Sequence, residues 1–486
     1  MNTTEYDNVT ELDVQNLGAL LELQRSQFRA EGEVSHATRI DRLKRLKALI
    51  VENKKDFATT TKREYGNERS YEFSLFSEYA SKVEAIDYSI KHLKKWMRPV
   101  ARKTNKPMNL LGGKSQVQYF PKGVVGIISP WNLPFGLTVA PLTSALAAGN
   151  RALLKPSEHV PETAALFAEV VPRYFSKDEV AVVTGGVDIS QRFARLPFDH
   201  LLFTGSANVG AQVMQSASAN LVPVTLELGG KSLVIIGRSA KLDLAGTRLT
   251  FGKLLNGGQL CLSPDYVLVP EELEELLITR ITTEALSMYP NIVDNTDYTG
   301  VINEEHFARL QTYIDDAVSK GAKVTIVGAE KTRPAENSRR MPLHILQNVA
   351  EDMQVMHEEI FGPLLPIMTY KDITEVPDMI EPRRNPLAMY YFGRDKSEQD
   401  YLLNHVQSGG VCVNDITLHY VQEDLPFGGV GASGMGAYHG PEGFRTMSHE
   451  RAIYSQTMID VLPIIGARPP FGDKFRKNIS KVLGSI

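Results

Sequence analysis

Two residues stand out for the chemistry they could do. Cys261 is one of only two cysteines and sits in the uncharged turn Asn256-Gly257-Gly258-Gln259-Leu260-Cys261. Upstream, Glu227 lies among apolar residues in Val224-Thr225-Leu226-Glu227-Leu228-Gly229-Gly230-Lys231-Ser232. An ionised thiol is both a good nucleophile and a good leaving group, and a carboxylate in apolar surroundings gains basicity near neutral pH. The pair suggests covalent thioester chemistry. Each has a plainer reading, the cysteine as a small buried hydrophobe and the glutamate as the solvent face of a strand. A third residue adds weight to the first reading. Asn132, in Ser129-Pro130-Trp131-Asn132-Leu133-Pro134-Phe135, is costly to bury unless its amide has a task. It could donate to the oxyanion formed when a thiolate attacks a carbonyl, or simply cap a turn.

The residues between and before these could hold a nucleotide. Phe203-Thr204-Gly205-Ser206-Ala207-Asn208-Val209-Gly210 leaves an apolar run and enters a helical one, so backbone N–H groups would face an anion there. In Leu154-Lys155-Pro156-Ser157-Glu158, the lysine and glutamate could bind two ribose hydroxyls, although a surface ion pair would look the same. No clustered donor set points to a metal.

The elements that would position these groups follow from periodicity. Leu17, Leu20, Leu21 and Phe28 share a helical face, as do Ile40, Leu43, Leu46 and Ile50 after a candidate N-cap at Ser35. From about residue 115, β-rich runs alternate with helical segments: Val117–Phe120, Val124–Ile128, Ala152–Leu154, Val180–Thr184 and Leu201–Phe203. After Glu227 a second such series includes Leu233–Ile236, Tyr266–Val269, Val324–Val327 and a strand near Gly409–Asn414. That alternation predicts an α/β protein with two doubly wound parallel-sheet domains and a ligand cleft at the strand ends. Residues 99–122 and 450–486 fit neither half and read as an extended oligomerisation arm. The predicted division is 1–98 with 123–226 for a Rossmann-like cofactor domain, and 227–449 for the catalytic domain.

Seven motifs in order connect this chain to a known group. They are Pro130-Trp131-Asn132, Lys155-Pro156-Ser157-Glu158, Phe203-Thr204-Gly205-Ser206, Leu226-Glu227-Leu228-Gly229-Gly230-Lys231, Gly258-Gln259-Leu260-Cys261, Glu358-Glu359-Ile360-Phe361-Gly362-Pro363 and Pro426-Phe427-Gly428-Gly429. The sequence resembles the aldehyde dehydrogenase superfamily along essentially its whole length. Segments such as Lys91–Pro99 and Gly431–Gly436 look like the shorter, class-3-like branch, and within it most like coniferyl aldehyde dehydrogenases. The resemblance implies oxidation of an aldehyde, aromatic or medium-chain aliphatic, with Cys261 as nucleophile, Asn132 as oxyanion donor and Glu227 as base. It implies NAD as cofactor, with NADP tolerated, held by Trp131, Lys155, Ser157, Glu158, Gly205, Ser206, Val209, Leu228, Gly229, Glu359 and Phe361. Gly257 and Leu260 depart from the family's more frequent alanine and threonine. Glycines at 257 and 258 are expected to let backbone approach the nicotinamide closely.

Composition limits the rival classes. The 486 residues are 43% hydrophobic and 23% charged, with net charge −4, ordinary for a globular protein. A run of eleven lysines and arginines with no acid between Tyr88 and Ser157 reads as a solvated face, not a nucleic-acid track. The uncharged stretch Gly123–Asn150 is broken by Pro130, Pro134 and Pro141, which predicts strand, loop and helix in place of a membrane span. Two cysteines and a polar N-terminus point to the cytoplasm, and the arms to a homodimer or homotetramer. A thiol hydrolase, a non-turning structural protein on the same fold and a coenzyme A-acylating enzyme remain as alternatives; Glu227 favours water over coenzyme A as acyl acceptor.

Overall fold

The computed structural model describes residues 11–484 except 293, 337 and 384. Helices Glu11–Glu31, His36–Glu64 and Ser81–Trp96 precede three sheets. The Ser35 hydroxyl accepts from the Thr38 N–H and starts the second helix as its sequence predicts.

The first sheet runs in the order Gly434–Met435, Val224–Glu227, His200–Thr204, Val124–Ile128, Arg151–Lys155, Val180–Val182. All neighbours are parallel except the two-residue strand Gly434–Met435. Along the chain the strands step outward from Val124–Ile128 to one edge, then return and step outward to the other. The order therefore reverses between Val124–Ile128 and His200–Thr204, and the crevice beyond their C-terminal ends is where such sheets bind ligands. The uncharged stretch becomes the fully buried strand Val124–Ile128 and the fully buried helix Gly136–Ala148. Among the described residues no helix is long and apolar enough to cross a membrane.

The second sheet has seven strands in the order Lys323–Ile326, His344–Gln347, Leu364–Tyr370, Tyr266–Pro270, Leu233–Ile236, Ala388–Phe392, Gly410–Val413, with only the first pair antiparallel. Its central strands are apolar throughout because both faces are covered.

Two segments lie where the sequence alone does not put them. Val117–Phe120 belongs to no parallel series. It sits in the strand Lys114–Pro121, which pairs antiparallel with Val100–Arg102 and, over eight residues, with Ser448–Ser455. Residues 434–446 leave the second half and pack on the first, where Gly434 pairs with Glu227 and helix Gly440–Thr446 lies against Gly136–Ala148. Gly434 (φ +143°) makes that contact feasible, since a Cβ there would stand 2.1 Å from the Leu226 carbonyl oxygen.

Candidate active site

Glu227 ends the strand Val224–Glu227, and its backbone is fixed from two sides. Its carbonyl accepts from the Gly205 N–H at 3.1 Å, and the next N–H, of Leu228, donates to the Ser433 carbonyl at 3.1 Å. The side chain is 3% exposed, and neither carboxylate oxygen has a hydrogen-bond partner. Burial without compensation holds this carboxyl well above the usual carboxylate range.

Cys261 lies in a turn held by side-chain hydrogen bonds. Asn256, Gly257 and Gly258 all take positive φ (51°, 62° and 76°). Gln259 is fully buried; its amide nitrogen donates to the carbonyls of Asn256 (2.8 Å) and Gly300 (3.0 Å), and its oxygen accepts from the Ile302 N–H (2.9 Å). Ser232 Oγ donates to the Cys261 carbonyl at 3.0 Å and Tyr390 Oη to the Leu262 carbonyl at 2.7 Å. The structure gives the glycines a reason within the protein itself. A Cβ on Gly257 would come within 2.5 Å of the Thr299 carbonyl oxygen, and one on Gly258 within 2.4 Å of that of Gly362. The close approach they permit is to protein backbone.

Asn132 follows the strand Val124–Ile128 and is also buried. Its amide nitrogen donates to the Gln259 carbonyl at 3.1 Å, which ties its loop to the turn that carries Cys261. The thiol is half-buried, and its pKa is raised first by desolvation, then by the nearby carboxyls of Glu359 and Glu227.

These three residues line one cavity of about 1190 Å³, which reaches across the switch point of the first sheet. Of the predicted cofactor residues, Trp131, Ser157, Glu158, Gly205, Ser206, Val209, Leu228, Gly229, Glu359 and Phe361 line it as well. Lys155 does not line it. It is buried, donates to the Pro156 carbonyl at 2.8 Å and lies 3.9 Å from the Glu158 carboxylate. Ser206 caps the helix Ala207–Ser218, accepting from the Val209 N–H, so that helix N-terminus faces the cavity. Burial and the neighbouring Asp265 push the Glu359 carboxyl up to about 8, against the opposing Gly230 N–H, Lys231 and Arg309. It packs on Gly229, where a Cβ would overlap it.

Several contributors carry no obvious sequence signal. Lys231, within a quoted motif, pairs with Asp265 and donates to the carbonyls of Val355 (2.8 Å) and Glu358 (2.9 Å). Asp265 accepts from the Ile360 N–H at 2.8 Å. Together they hold the loop that presents Glu359. His306 packs on the Trp131 ring (centroids 5.0 Å apart) and faces the cavity with Nδ1 unpartnered, its pKa pushed down to about 4 by burial. A lone histidine on a helix gives no reason to be singled out; only the fold brings it beside Trp131.

A match to the aldehyde dehydrogenase family model spans residues 1–453. The chain belongs to the aldehyde dehydrogenase family. It is 43% identical over 463 residues to a probable coniferyl aldehyde dehydrogenase of Caulobacter vibrioides, covering 95% of each chain. It is 41% identical to the coniferyl aldehyde dehydrogenase of Pseudomonas sp. strain HR199, covering 98% of each. Among solved structures, the substrate-bound state of Staphylococcus aureus AldH superposes with a TM-score of 0.88 at 35% identity, over 96% of this chain and 99% of that one. This aldehyde dehydrogenase is therefore an oxidoreductase acting on aldehydes, on the α/β fold with two parallel-sheet domains that its sequence predicts.

Proposed function

We propose that this aldehyde dehydrogenase oxidises an aromatic aldehyde of the coniferyl aldehyde type to its carboxylic acid with NAD, through a thioester on Cys261. The observation that carries the reading is the convergence of a thiol, a buried amide donor and a carboxylate with both oxygens unpartnered on one cavity. The substrate class rests on the names of the two bacterial relatives that match nearly the whole chain.

The cavity fits a dinucleotide. Its volume is about 1190 Å³, it lies at the strand-order reversal, and a helix N-terminus capped by Ser206 faces it with backbone N–H groups suited to phosphate. Glu158, half-exposed on its wall, suits ribose hydroxyls and would repel a 2′-phosphate, which favours NAD over NADP. When bound, the nicotinamide serves as hydride acceptor.

The chain's own residues do the rest. Cys261 gives its proton to Glu227, which releases it to solvent, and its sulfur adds to the aldehyde carbon. Asn132 has two amide N–H groups, one of which donates to Gln259. The other, with the Cys261 backbone N–H, stabilises the oxyanion. After oxidation the carbonyl re-forms as a thioester. Glu227 then takes a proton from water as its oxygen attacks, the C–S bond breaks, and the thiol leaves with the carboxylic acid as product. The raised pKa of Glu227 suits a base that must accept a proton near neutrality. The three-stranded arm sheet exposes Val100, Phe120 and Tyr454, which supports self-association as a homodimer or homotetramer.

Assay of a panel of aromatic and aliphatic aldehydes with NAD and with NADP tests this reading. The highest kcat/KM is expected for cinnamaldehyde-type substrates with NAD. Preference for short aliphatic aldehydes, or for NADP, would contradict it.

A further inference from the structure

One ion pair is fully buried and makes contact with the proposed machinery. Arg69 and Glu78 are each 0% exposed at the side chain and pair at 2.6 Å. Arg69 follows the turn that ends helix His36–Glu64, and Glu78 lies in the π-helical turn Leu75–Ala80, a geometry often retained at functional sites. The other contacts of the pair are directional. Arg69 Nη1 donates to the Asn132 carbonyl at 2.9 Å, and its Nε to Ser74 Oγ at 3.1 Å. The second Glu78 oxygen accepts from the N–H groups of Phe135 (2.9 Å) and Gly136 (3.1 Å), at the start of helix Gly136–Ala148. The pair thus grips the loop at Asn132 and again three and four residues later.

The same turn also reaches the nucleophile. The Gly300 N–H donates to the Glu68 carbonyl at 2.7 Å, and the Gly300 carbonyl accepts from Gln259, which shapes the Cys261 turn. Asn256 of that turn donates to the Asn132 carbonyl at 3.3 Å, beside Arg69. Replacing a buried ion pair by apolar groups is often neutral or stabilising, so stability alone explains this one poorly. Its fork geometry, with one arm on Glu78 and one on Asn132, is specific to a guanidinium.

We propose that Arg69, locked by Glu78, is a positioning residue that sets the Asn132 amide against the Cys261 turn, so that the oxyanion donor is aimed before substrate arrives. This rests on the reading of Asn132 as oxyanion donor. Lysine at 69 keeps the charge and can reach Glu78 or the Asn132 carbonyl, but lacks the fork that holds both. Displacement of a reacting group by about an ångström can cost about 100-fold in rate.

The test is a double-mutant cycle on the full-length protein, using Arg69→Lys, Asn132→Ala and the pair, with Glu78→Gln as an independent probe of the lock. Thermal midpoint and NAD affinity are read alongside kcat and KM. In the native background Arg69→Lys and Glu78→Gln should lower kcat by between ~10-fold and ~100-fold, with KM and NAD affinity within about twofold. In the Asn132→Ala background Arg69→Lys should cost less than about twofold more, because the residue through which it acts is gone. Equal losses in both backgrounds, near-native kcat in Arg69→Lys, or failure of both Arg69→Lys and Glu78→Gln to fold would overturn the proposal. If Asn132→Ala alone keeps near-native kcat, the oxyanion reading fails first, and the cycle shows which of the two is wrong.

Discussion

Replacing Glu227 with glutamine keeps its size and removes its ability to accept a proton, and the structure fixes what should follow. The carboxyl is buried with both oxygens unpartnered and its pKa is raised well above the ordinary value of 4.5 by desolvation alone. Loss of a general base commonly costs about 10²–10⁴ in rate, or roughly 3–5 kcal/mol of barrier. Burial and the nearby carboxyls of Glu359 and Glu227 also raise the Cys261 pKa, which disfavours its thiolate. A Glu227→Gln enzyme should therefore lose steady turnover and also slow its first burst of reduced cofactor, because the thiol has lost a neighbouring proton acceptor. Raising the pH should recover the burst before it recovers turnover. Stability gives a second reading. The folded protein holds a proton on Glu227 that the unfolded chain releases above about pH 4.5, so this group's contribution is full below that value and declines as pH rises towards the folded pKa. Glutamine does not titrate. The difference in unfolding free energy, variant minus native, should therefore grow as pH rises above about 4.5, a trend read between pH 5 and pH 7. Stopped-flow absorbance of the reduced cofactor and paired melts across that range measure both effects. A native burst at neutral pH, or a stability difference flat with pH, would refute the reasoning.

Three further outcomes follow from the site. Asn132→Ala should lower kcat by about 10²–10³ while near- and far-ultraviolet circular dichroism stay native, since one oxyanion donor is removed. Cys412→Ala should retain most activity, because Cys412 lies on the strand Gly410–Val413 in the second sheet and does not line the cavity; a loss above about tenfold would reassign the thiol. Glu158→Ser should raise kcat/KM with NADP relative to NAD, as it removes a carboxylate from the cavity wall. An unchanged ratio in parallel assays would place the ribose elsewhere.

Legibility in the sequence tracked how local the determining forces are. Val124–Ile128 and Leu233–Ile236 form strands over the residues their apolar runs mark, because burial on both faces needs an unbroken run. Ser35 caps its helix through a contact three residues away. The strand Ala388–Phe392 is equally apolar, bounded by Pro386 and Gly393, and could have been read from that punctuation. The pairing of Lys114–Pro121 with Ser448–Ser455 could not, since the two strands are far apart in sequence and neither carries a partner code. At the site, Cys261, Glu227 and Asn132 were visible as residues out of place for their type, and one cavity gathers them. Gln259 and Lys231 lay inside quoted motifs without a role assigned, and Arg69 and Glu78 resemble ordinary surface residues until the fold buries them.

The central claim, that Cys261 carries the acyl group, is tested most directly by mass spectrometry of the protein mixed with NAD and coniferyl aldehyde and quenched with acid at the end of its first burst of reduced cofactor. The Glu227→Gln variant, in which deacylation is slowed, gives the adduct time to accumulate. The account predicts one acyl group per active subunit, and proteolysis should place it on the peptide that contains Cys261, in amount equal to the reduced cofactor formed in the first turnover. Reduced cofactor formed with no acylated Cys261, or with the acyl group on Cys412, would contradict it.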